Sequence, residues 1–246
     1  MTFPAYIGTG RWAVHPHLFF ELLGYAVAVV ILVRTRGRDG DVLTTRDRWT
    51  IAAAALAGGA LGSRLLFWLS ESALFAAHWR TPLEWPVGKT IVGGLAGGLV
   101  AVELTKRAIG VRVPTGDLFA LPLAVGIAIG RIGCFLSGLD DHTYGTATSW
   151  PTGIDLGDGI RRHPTALYEA AFLTVLAVVL LRSRHAHPGS DFRTFMIAYL
   201  TLRLVLDLIK PEPALALGLS TIQWVCTGVL AYYVISARTS RPYVTA

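Results

Sequence analysis

The chain has 246 residues, of which 53% are hydrophobic and only 15% are charged, and its formal net charge is +6. A soluble domain carries about 25% charged residues, so this composition excludes an ordinary soluble globular protein. The positive charge needs no nucleic-acid partner, because basic loops beside an anionic lipid surface account for it. The sequence therefore predicts an all-α integral membrane protein made of a single transmembrane domain, residues 1–246.

Apolar stretches long enough to cross a bilayer recur along the chain, since about 20 apolar residues span the hydrocarbon core. The seven predicted transmembrane helices cover residues 18–33, 50–69, 89–105, 115–138, 165–181, 192–209 and 219–236. No cleavage-site pattern of a signal peptide accompanies the first of them, so we expect it to be retained. The runs AGGALGS in the second span and GGLAGG in the third predict close helix packing.

The loops between the spans differ in their content of lysine and arginine. The loops on one side hold twelve of these residues, and the loops on the other side hold six. Because cytoplasmic loops carry the excess, we expect the N-terminus outside and the C-terminus in the cytoplasm. The longest loop, at about 139–164, then lies on the outer side, and its stretch IDLGDGI is compatible with a short hairpin.

Ionisable side chains occur inside the predicted spans, where a charge is costly and marks a candidate functional site. They are Glu21, Arg64, Arg131, Glu169, Arg203 and Asp207. With the orientation above, all of them fall in the outer half of the bilayer. One interpretation is a buried ion network that fixes helix register. The other is a binding site for an anion such as a lipid headgroup, because the guanidinium fork binds phosphate or carboxylate bidentately.

Two local spacings bear on that choice. Asp207 follows Arg203 by four residues, so the two can pair on one helix face. Asp207 then either orients Arg203 toward a ligand or neutralises it. Tyr168 and Glu169 are adjacent and cannot face the same direction in a helix, so we expect only one of them to face the site.

Four motifs follow one another along the chain: GGLAGG at 93–98, GRIGCFLSG at 130–138, HPTALYEA at 163–170 and RLVLDLIKPEP at 203–213. In this order and spacing they resemble the phosphatidylglycerol–prolipoprotein diacylglyceryl transferases, and the resemblance covers most of the chain. It implies an enzyme of the bacterial cytoplasmic (inner) membrane. Such an enzyme transfers the diacylglyceryl group of phosphatidylglycerol to the lipobox cysteine thiol of a preprolipoprotein signal peptide.

The resemblance also implies roles for particular residues. The arginine of the family signature binds the phospholipid and corresponds to Arg131, and the essential arginine of the sixth span corresponds to Arg203. We expect Arg131, Arg203 and His163 to be catalytic. The candidates for substrate binding lie in the matched motifs, in the outer loop or in the outer half of a span, and are Arg64, Arg131, Gly130, Gly138, Gly145, Tyr168, Glu169 and Asp207. We expect no cofactor, no metal and no nucleic-acid partner.

The chain departs from the family pattern in places that concern the transfer step. Cys134 and Ser137 stand where the signature has asparagine, and Val92 stands where the third span has a histidine. Without that histidine, the general base falls to His163 or His142, of which His163 belongs to a matched motif.

The stretch LDDHTYG replaces a shorter stretch that contains a glutamate in the family, so the counterpart of that glutamate is either Asp140 or Asp141. Cys134 lies three residues after Arg131, on about the same helix face. It is interpreted either as a small buried side chain or as a nucleophile. These departures leave a second function open, a paralogue that binds or moves anionic phospholipid or that uses a different acceptor.

Overall fold

The computed structural model describes residues 3–35, 43–81, 88–182, 188–211 and 213–239. Within these ranges the chain is mainly helical. The α-helices are α1 (Pro16–Thr35), α2 (Thr45–Ser70), α3 (Ser72–His78), α4 (Ile91–Ile109), α5 (Asp117–Leu136), α6 (Thr165–Arg182), α7 (Ser190–Asp207) and α8 (Thr221–Thr239). A 3-10 helix, Gly138–Asp141, continues the path of the chain beyond α5.

Two short antiparallel hairpins interrupt the helical pattern. In the first, β1 (Ile154–Asp155) pairs with β2 (Arg161–Arg162), as the stretch IDLGDGI suggested. The Asp155 carboxylate accepts backbone N–H groups from its turn, which fixes this hairpin. In the second, β3 (Ala214–Ala216) pairs with β4 (Leu219–Ser220). Only β4 falls within the predicted seventh span, at its start. The fold is therefore helical with small strands, and not purely α.

The helices α1, α2 and α4–α8 overlap the seven predicted spans, whereas the short helix α3 was not predicted. Among the described residues, α1, α2, α5 and α6 are long and apolar enough to cross a membrane, and Thr221–Ser236 of α8 is a shorter apolar helix. Large apolar side chains such as Leu56 and Leu181 are exposed on their outer faces. The chain is a membrane protein with several apolar helices, while the count of seven spans and the orientation stay predictions. Basic segments within 36–42, 183–187 and 240–246, on which the orientation partly rests, lie outside the described residues.

The chain divides into two compact units, residues 1–41 with 114–211 and residues 42–113 with 212–246. In the first unit α5 packs against α1, α6 and α7. Helices α1 and α5 approach closely because Gly24 faces the backbone of Gly126, where an added Cβ atom would meet the carbonyl oxygen at 2.6 Å. Phe195 and Leu173 are fully buried in this unit and form part of its core. The expectation of a single transmembrane domain stays a prediction.

In the second unit α2 and α4 pack face to face, and α8 lies against both. The contact runs along glycines of both helices, since a Cβ atom added at Gly62 or Gly97 would collide with the facing backbone. This confirms the close packing predicted from AGGALGS and GGLAGG. The Thr90 side chain accepts the backbone N–H of Gly93 and caps the start of α4.

Candidate functional site

A buried cluster of charged side chains lies in the first unit, centred on Glu169 of α6. Arg131 Nε of α5 is 2.8 Å from Glu169 Oε1, and Arg203 Nη1 of α7 is 3.1 Å from Glu169 Oε2. The Tyr199 hydroxyl donates to Glu169 Oε1 over 2.7 Å, and Arg203 Nη2 donates to Asp207 Oδ1 over 3.1 Å. All five residues are buried, with Glu169 only 1% exposed. We call these residues the Glu169 cluster.

One of the two guanidinium groups is not fully satisfied within the cluster. Arg131 Nε lies 2.8 Å from Glu169 Oε1 and is therefore paired with that carboxylate. Arg203 Nε is buried and lacks a hydrogen-bond partner among the described residues. Most buried polar atoms have a partner. The cluster therefore keeps a buried guanidinium N–H, at Arg203 Nε, that its own carboxylates do not accept.

Helix geometry explains how these side chains meet. Tyr199, Arg203 and Asp207 are spaced by four residues, so they lie on one face of α7. That face and the buried face of α6 both pack against α5, which carries Arg131. Charges that are costly inside apolar helices are thus paired with one another in the core.

A second set of polar contacts extends from Arg131 toward α1. Arg131 Nη1 is 3.7 Å from Cys134 Sγ, and Cys134 Sγ is 3.9 Å from His17 Nδ1. His17 Nδ1 lies 2.7 Å from Asp141 Oδ1, at the end of the 3-10 helix. Burial alone raises the pKa of the Asp141 carboxyl, but the hydrogen bond with His17 and further polar contacts hold that pKa below its usual value. Asp141 makes these contacts, whereas Asp140 is exposed.

His163 lies in a different part of the first unit. An open pocket of about 320 Å³ is lined by Trp150, Thr152, His163, Tyr168 and Ile209, and we call it the His163 pocket. His163 Nδ1 is 3.3 Å from the Tyr168 hydroxyl, which also hydrogen-bonds the Thr152 hydroxyl over 2.6 Å. Tyr168 thus belongs to this pocket while its neighbour Glu169 turns into the buried cluster. The two residues face different directions, as expected for adjacent positions in a helix.

The remaining candidates are placed as follows. Gly130 lies in α5, and Gly138 begins the 3-10 helix with a φ of 64°. Gly145 N donates to His163 O over 2.9 Å, so this glycine supports the backbone beside the His163 pocket. Arg64 is exposed on α2 and belongs to the second unit. Its part in substrate binding stays a prediction.

Alanine substitution of Gly145 and of Gly130 should distinguish a tightly packed position from one with free space around it. A Cβ atom at Gly145 would lie 2.7 Å from His163 Cβ and 2.9 Å from Ile209 O, whereas a Cβ atom at Gly130 meets nothing within 4 Å. We expect Gly145→Ala to lower the free energy of unfolding by about 1–3 kcal/mol through overpacking. Gly130→Ala should leave it unchanged or raise it by about 0.5–1 kcal/mol, because alanine suits a helix interior. Thermal unfolding in detergent measures both, and equal losses would contradict the difference in packing.

Sequence reasoning did not identify Tyr199 or His17 as site residues. Tyr199 lies four residues before Arg203, and His17 lies four residues before Glu21, to which its Nε2 approaches within 3.5 Å. A polar residue four positions from an intramembrane charge lies on the same helix face, and this spacing could have identified both residues as candidates from the sequence. The contact between His17 and Cys134 joins positions far apart in the chain, and no local pattern indicates it.

Comparison with known proteins gives a consistent result. The family model described as prolipoprotein diacylglyceryl transferase matches residues 4–237. A protein of Geobacter sulfurreducens named phosphatidylglycerol–prolipoprotein diacylglyceryl transferase is 30% identical over 230 residues, which cover 88% of this chain and 85% of that protein. Proteins of the same name from Bordetella parapertussis and Aromatoleum aromaticum are 30% and 33% identical, over 90% and 71% of this chain and 88% and 69% of their own.

Proposed function

Because the chain belongs to the prolipoprotein diacylglyceryl transferase family, we propose that it transfers the diacylglyceryl group of phosphatidylglycerol to a preprolipoprotein. The acceptor is the thiol of the lipobox cysteine, and glycerol phosphate is released. The observation that carries this proposal is the Glu169 cluster, in which the arginines of two matched motifs meet in a buried site.

The chemistry requires stabilisation of a leaving phosphate. In the transfer the thiol sulfur forms a bond to the glycerol carbon, and the bond from that carbon to the phosphate oxygen breaks. Negative charge develops on the phosphate, and buried guanidinium groups stabilise such charge strongly. Arg203 holds a buried Nε donor without a hydrogen-bond partner among the described residues, which supports the binding of an anion such as phosphate at this place.

The two arginines are assigned different parts in the proposal. Both Nη atoms of Arg203 donate to carboxylates, one to Glu169 and one to Asp207, so Arg203 is the more constrained group. Arg131 has one carboxylate contact and one contact with a thiol. We assign Arg131 the main contact with the phosphate, while Arg203 stabilises charge from a fixed position.

The His163 pocket is proposed to handle the acceptor side of the reaction. Its imidazole and the Tyr168 hydroxyl are in contact, and histidine is the side chain that most often serves as a general base in enzymes. The aromatic ring of Trp150 lies edge to face against His163, with 5.8 Å between ring centroids. An apolar segment of a signal peptide fits such surroundings, and His163 then accepts the thiol proton.

The proposed setting is the bacterial cytoplasmic membrane, with seven spans, the N-terminus outside and the C-terminus in the cytoplasm. In this arrangement the loop 139–164 lies on the outer side, and the matched arginines lie inside the protein at the level of the outer leaflet. Exported preprolipoproteins present their lipobox on that side. The glycines at 130, 138 and 145 are proposed to complete the binding surface for the lipid in the first unit, and a part of Arg64 in substrate binding stays a prediction of its own.

The direct test uses purified full-length protein in mixed micelles with phosphatidylglycerol and a synthetic lipobox peptide. We expect a peptide product whose mass has increased by one diacylglyceryl group in a thioether, detected by mass spectrometry. A peptide with serine in place of the lipobox cysteine is the matched control and should give no product. Binding of phosphatidylglycerol without any thioether, beside an active relative under the same conditions, would refute transfer and favour a protein that only binds lipid.

A further inference from the structure

Three side chains with metal-binding atoms converge in the first unit, next to the Glu169 cluster. They come from three elements: His17 from the first turn of α1, Cys134 from the last turn of α5 and Asp141 from the 3-10 helix. Their ligand atoms all lie within 4.8 Å of one another. His17 Nδ1 is 2.7 Å from Asp141 Oδ1 and 3.9 Å from Cys134 Sγ. The same imidazole nitrogen therefore faces both the carboxylate and the thiol.

This donor set is suited to a zinc ion. Thiolate, imidazole and carboxylate are the ligands of zinc in proteins, and three protein ligands with an open fourth position are typical of catalytic zinc sites. In tetrahedral zinc sites the bond lengths place ligand atoms about 3.4–3.6 Å from one another. The distances of 2.7 and 3.9 Å lie on either side of that range. Metal binding would therefore lengthen the separation of His17 Nδ1 and Asp141 Oδ1 and shorten that of His17 Nδ1 and Cys134 Sγ.

The atoms that would not bind the metal are held by further polar groups. His17 Nε2 lies 3.5 Å from Glu21 Oε2, and Glu21 Oε1 accepts the Tyr25 hydroxyl over 2.6 Å. The Thr143 hydroxyl donates to Asp141 Oδ2 over 3.1 Å. A carboxylate on the second nitrogen of a ligating histidine orients the ring and raises its basicity. The contact between His17 Nε2 and Glu21 does not involve the three proposed ligand atoms, and ligating histidines in metal sites commonly have such a carboxylate partner.

A purely hydrogen-bonded triad explains the same contacts less well. In a nucleophilic triad the histidine uses one nitrogen for the nucleophile and the other for the carboxylate. Here Cys134 and Asp141 both lie at Nδ1, and Nε2 faces a different carboxylate. Because Cys134 Sγ and Asp141 Oδ1 both lie near His17 Nδ1, the three atoms are arranged as ligands around a single metal ion would be.

We propose that His17, Cys134 and Asp141 bind a zinc ion whose open fourth position takes the thiol of the acceptor cysteine as a thiolate. The thiol proton passes to water when the sulfur binds, because a coordinating thiol is deprotonated. The thiolate then forms the bond to the glycerol carbon, and the carbon–oxygen bond to the phosphate breaks, its electron pair leaving with the phosphate oxygen. This role rests on the proposed function and departs from the expectation of no metal. With zinc bound the thiol proton passes to water, and His163 keeps its contact with the acceptor in the His163 pocket.

The position of the site relative to Arg131 supports this role. Arg131 Nη1 is 3.7 Å from Cys134 Sγ, so the guanidinium group assigned to the phosphate adjoins the proposed metal ligand. A lipid phosphate on Arg131 and a thiolate on the metal would therefore be neighbours.

Metal binding is tested first and without any lipid or peptide. Purified full-length protein is incubated with zinc, desalted and analysed by inductively coupled plasma mass spectrometry. We expect a single zinc per chain, lost in Cys134→Ser and His17→Ala and retained in Cys226→Ser, which changes the other cysteine of the chain. With cobalt in place of zinc, the wild-type protein should show a thiolate-to-cobalt charge-transfer band. Wild-type protein that retains no more zinc than Cys134→Ser overturns the site.

A variant outside the ligand set keeps the test decisive if a ligand variant does not fold. Glu21→Gln leaves all three ligands in place and changes only the carboxylate beside His17 Nε2. We expect its zinc affinity to fall about 10- to 100-fold, as for other outer partners of ligating histidines. Unchanged affinity in a folded Glu21→Gln protein contradicts the assigned arrangement.

The thiol role is tested separately with the transfer assay. Removal of zinc by a chelator should lower the rate of thioether formation about 100-fold or more, and added zinc should restore it. Full activity after zinc removal overturns the thiol role and supports the proposed function. Bound zinc with no transfer under any condition overturns the proposed function and supports the metal site alone.

Discussion

Glu169→Gln should lower the stability of the protein more than any other single amide replacement of a carboxylate in the first unit. Glu169 is 1% exposed, and its two oxygens contact Arg131, Arg203 and Tyr199. Glutamine has nearly the same volume but no charge, so two buried guanidinium groups lose their shared counterion. Removal of one member of a buried ion pair costs about 3–5 kcal/mol. We expect a loss of that size in the free energy of unfolding and no measurable transfer.

The control for this prediction is Asp158→Asn in the first hairpin. Asp158 also pairs with an arginine, at 2.6 Å from Arg162, but this pair lies in the hairpin and not in the helical core. Exposed ion pairs contribute little. Thermal unfolding followed by tryptophan fluorescence in detergent should therefore shift strongly for Glu169→Gln and not for Asp158→Asn. Equal unfolding temperatures for wild type and Glu169→Gln would mean that the buried cluster does not stabilise the fold.

Arg131→Lys should reduce kcat/KM for phosphatidylglycerol by about 100- to 1000-fold, the range found when one preorganised donor to a developing negative charge is removed. Lysine keeps the charge but is a compact point charge, and it lacks the planar fork that binds a phosphate with two parallel hydrogen bonds. We expect the loss mainly in kcat, since negative charge on the phosphate increases in the transition state. Steady-state rates over a range of phosphatidylglycerol concentrations give both constants.

The control for Arg131→Lys is Arg107→Lys at the end of α4, where the arginine is exposed. This variant makes the same chemical change away from the cluster, and its activity should match that of wild type. A folded Arg131→Lys protein with unchanged kcat/KM would remove Arg131 from the reaction. A loss confined to KM would limit Arg131 to holding the lipid before the reaction begins.

The cost of charge in apolar surroundings made part of the candidate site predictable. Arg131, Glu169, Arg203 and Asp207 stand out in the sequence because a charge inside a span needs a partner, and the structure brings them together. Arg64 met the same criterion but belongs to the second unit, so its role stays a prediction. The criterion of intramembrane charge therefore identified the charged residues of the Glu169 cluster, but it also included Arg64, which is not part of that cluster.

Other contacts of the site could not be predicted, because they depend on how the helices pack and not on any local sequence pattern. Tyr199 is uncharged and has little cost in a helix, so nothing distinguishes it until its hydroxyl is seen to donate to Glu169. His17 and Cys134 meet only because α1 and α5 pack closely through their glycines, which is a tertiary effect. The second hairpin was not predicted because its residues are mostly apolar and run directly into α8, so composition does not separate strand from helix there.

The face of α7 that carries Tyr199, Arg203 and Asp207 makes the length of this helix a functional property. Each residue added to a helix turns everything beyond it by about 100° relative to what precedes it. A single alanine inserted near Phe195 would therefore move all three side chains off the Glu169 cluster at once, although none of them is changed. The first half of α7 should consequently accept many substitutions of similar size but no insertion or deletion.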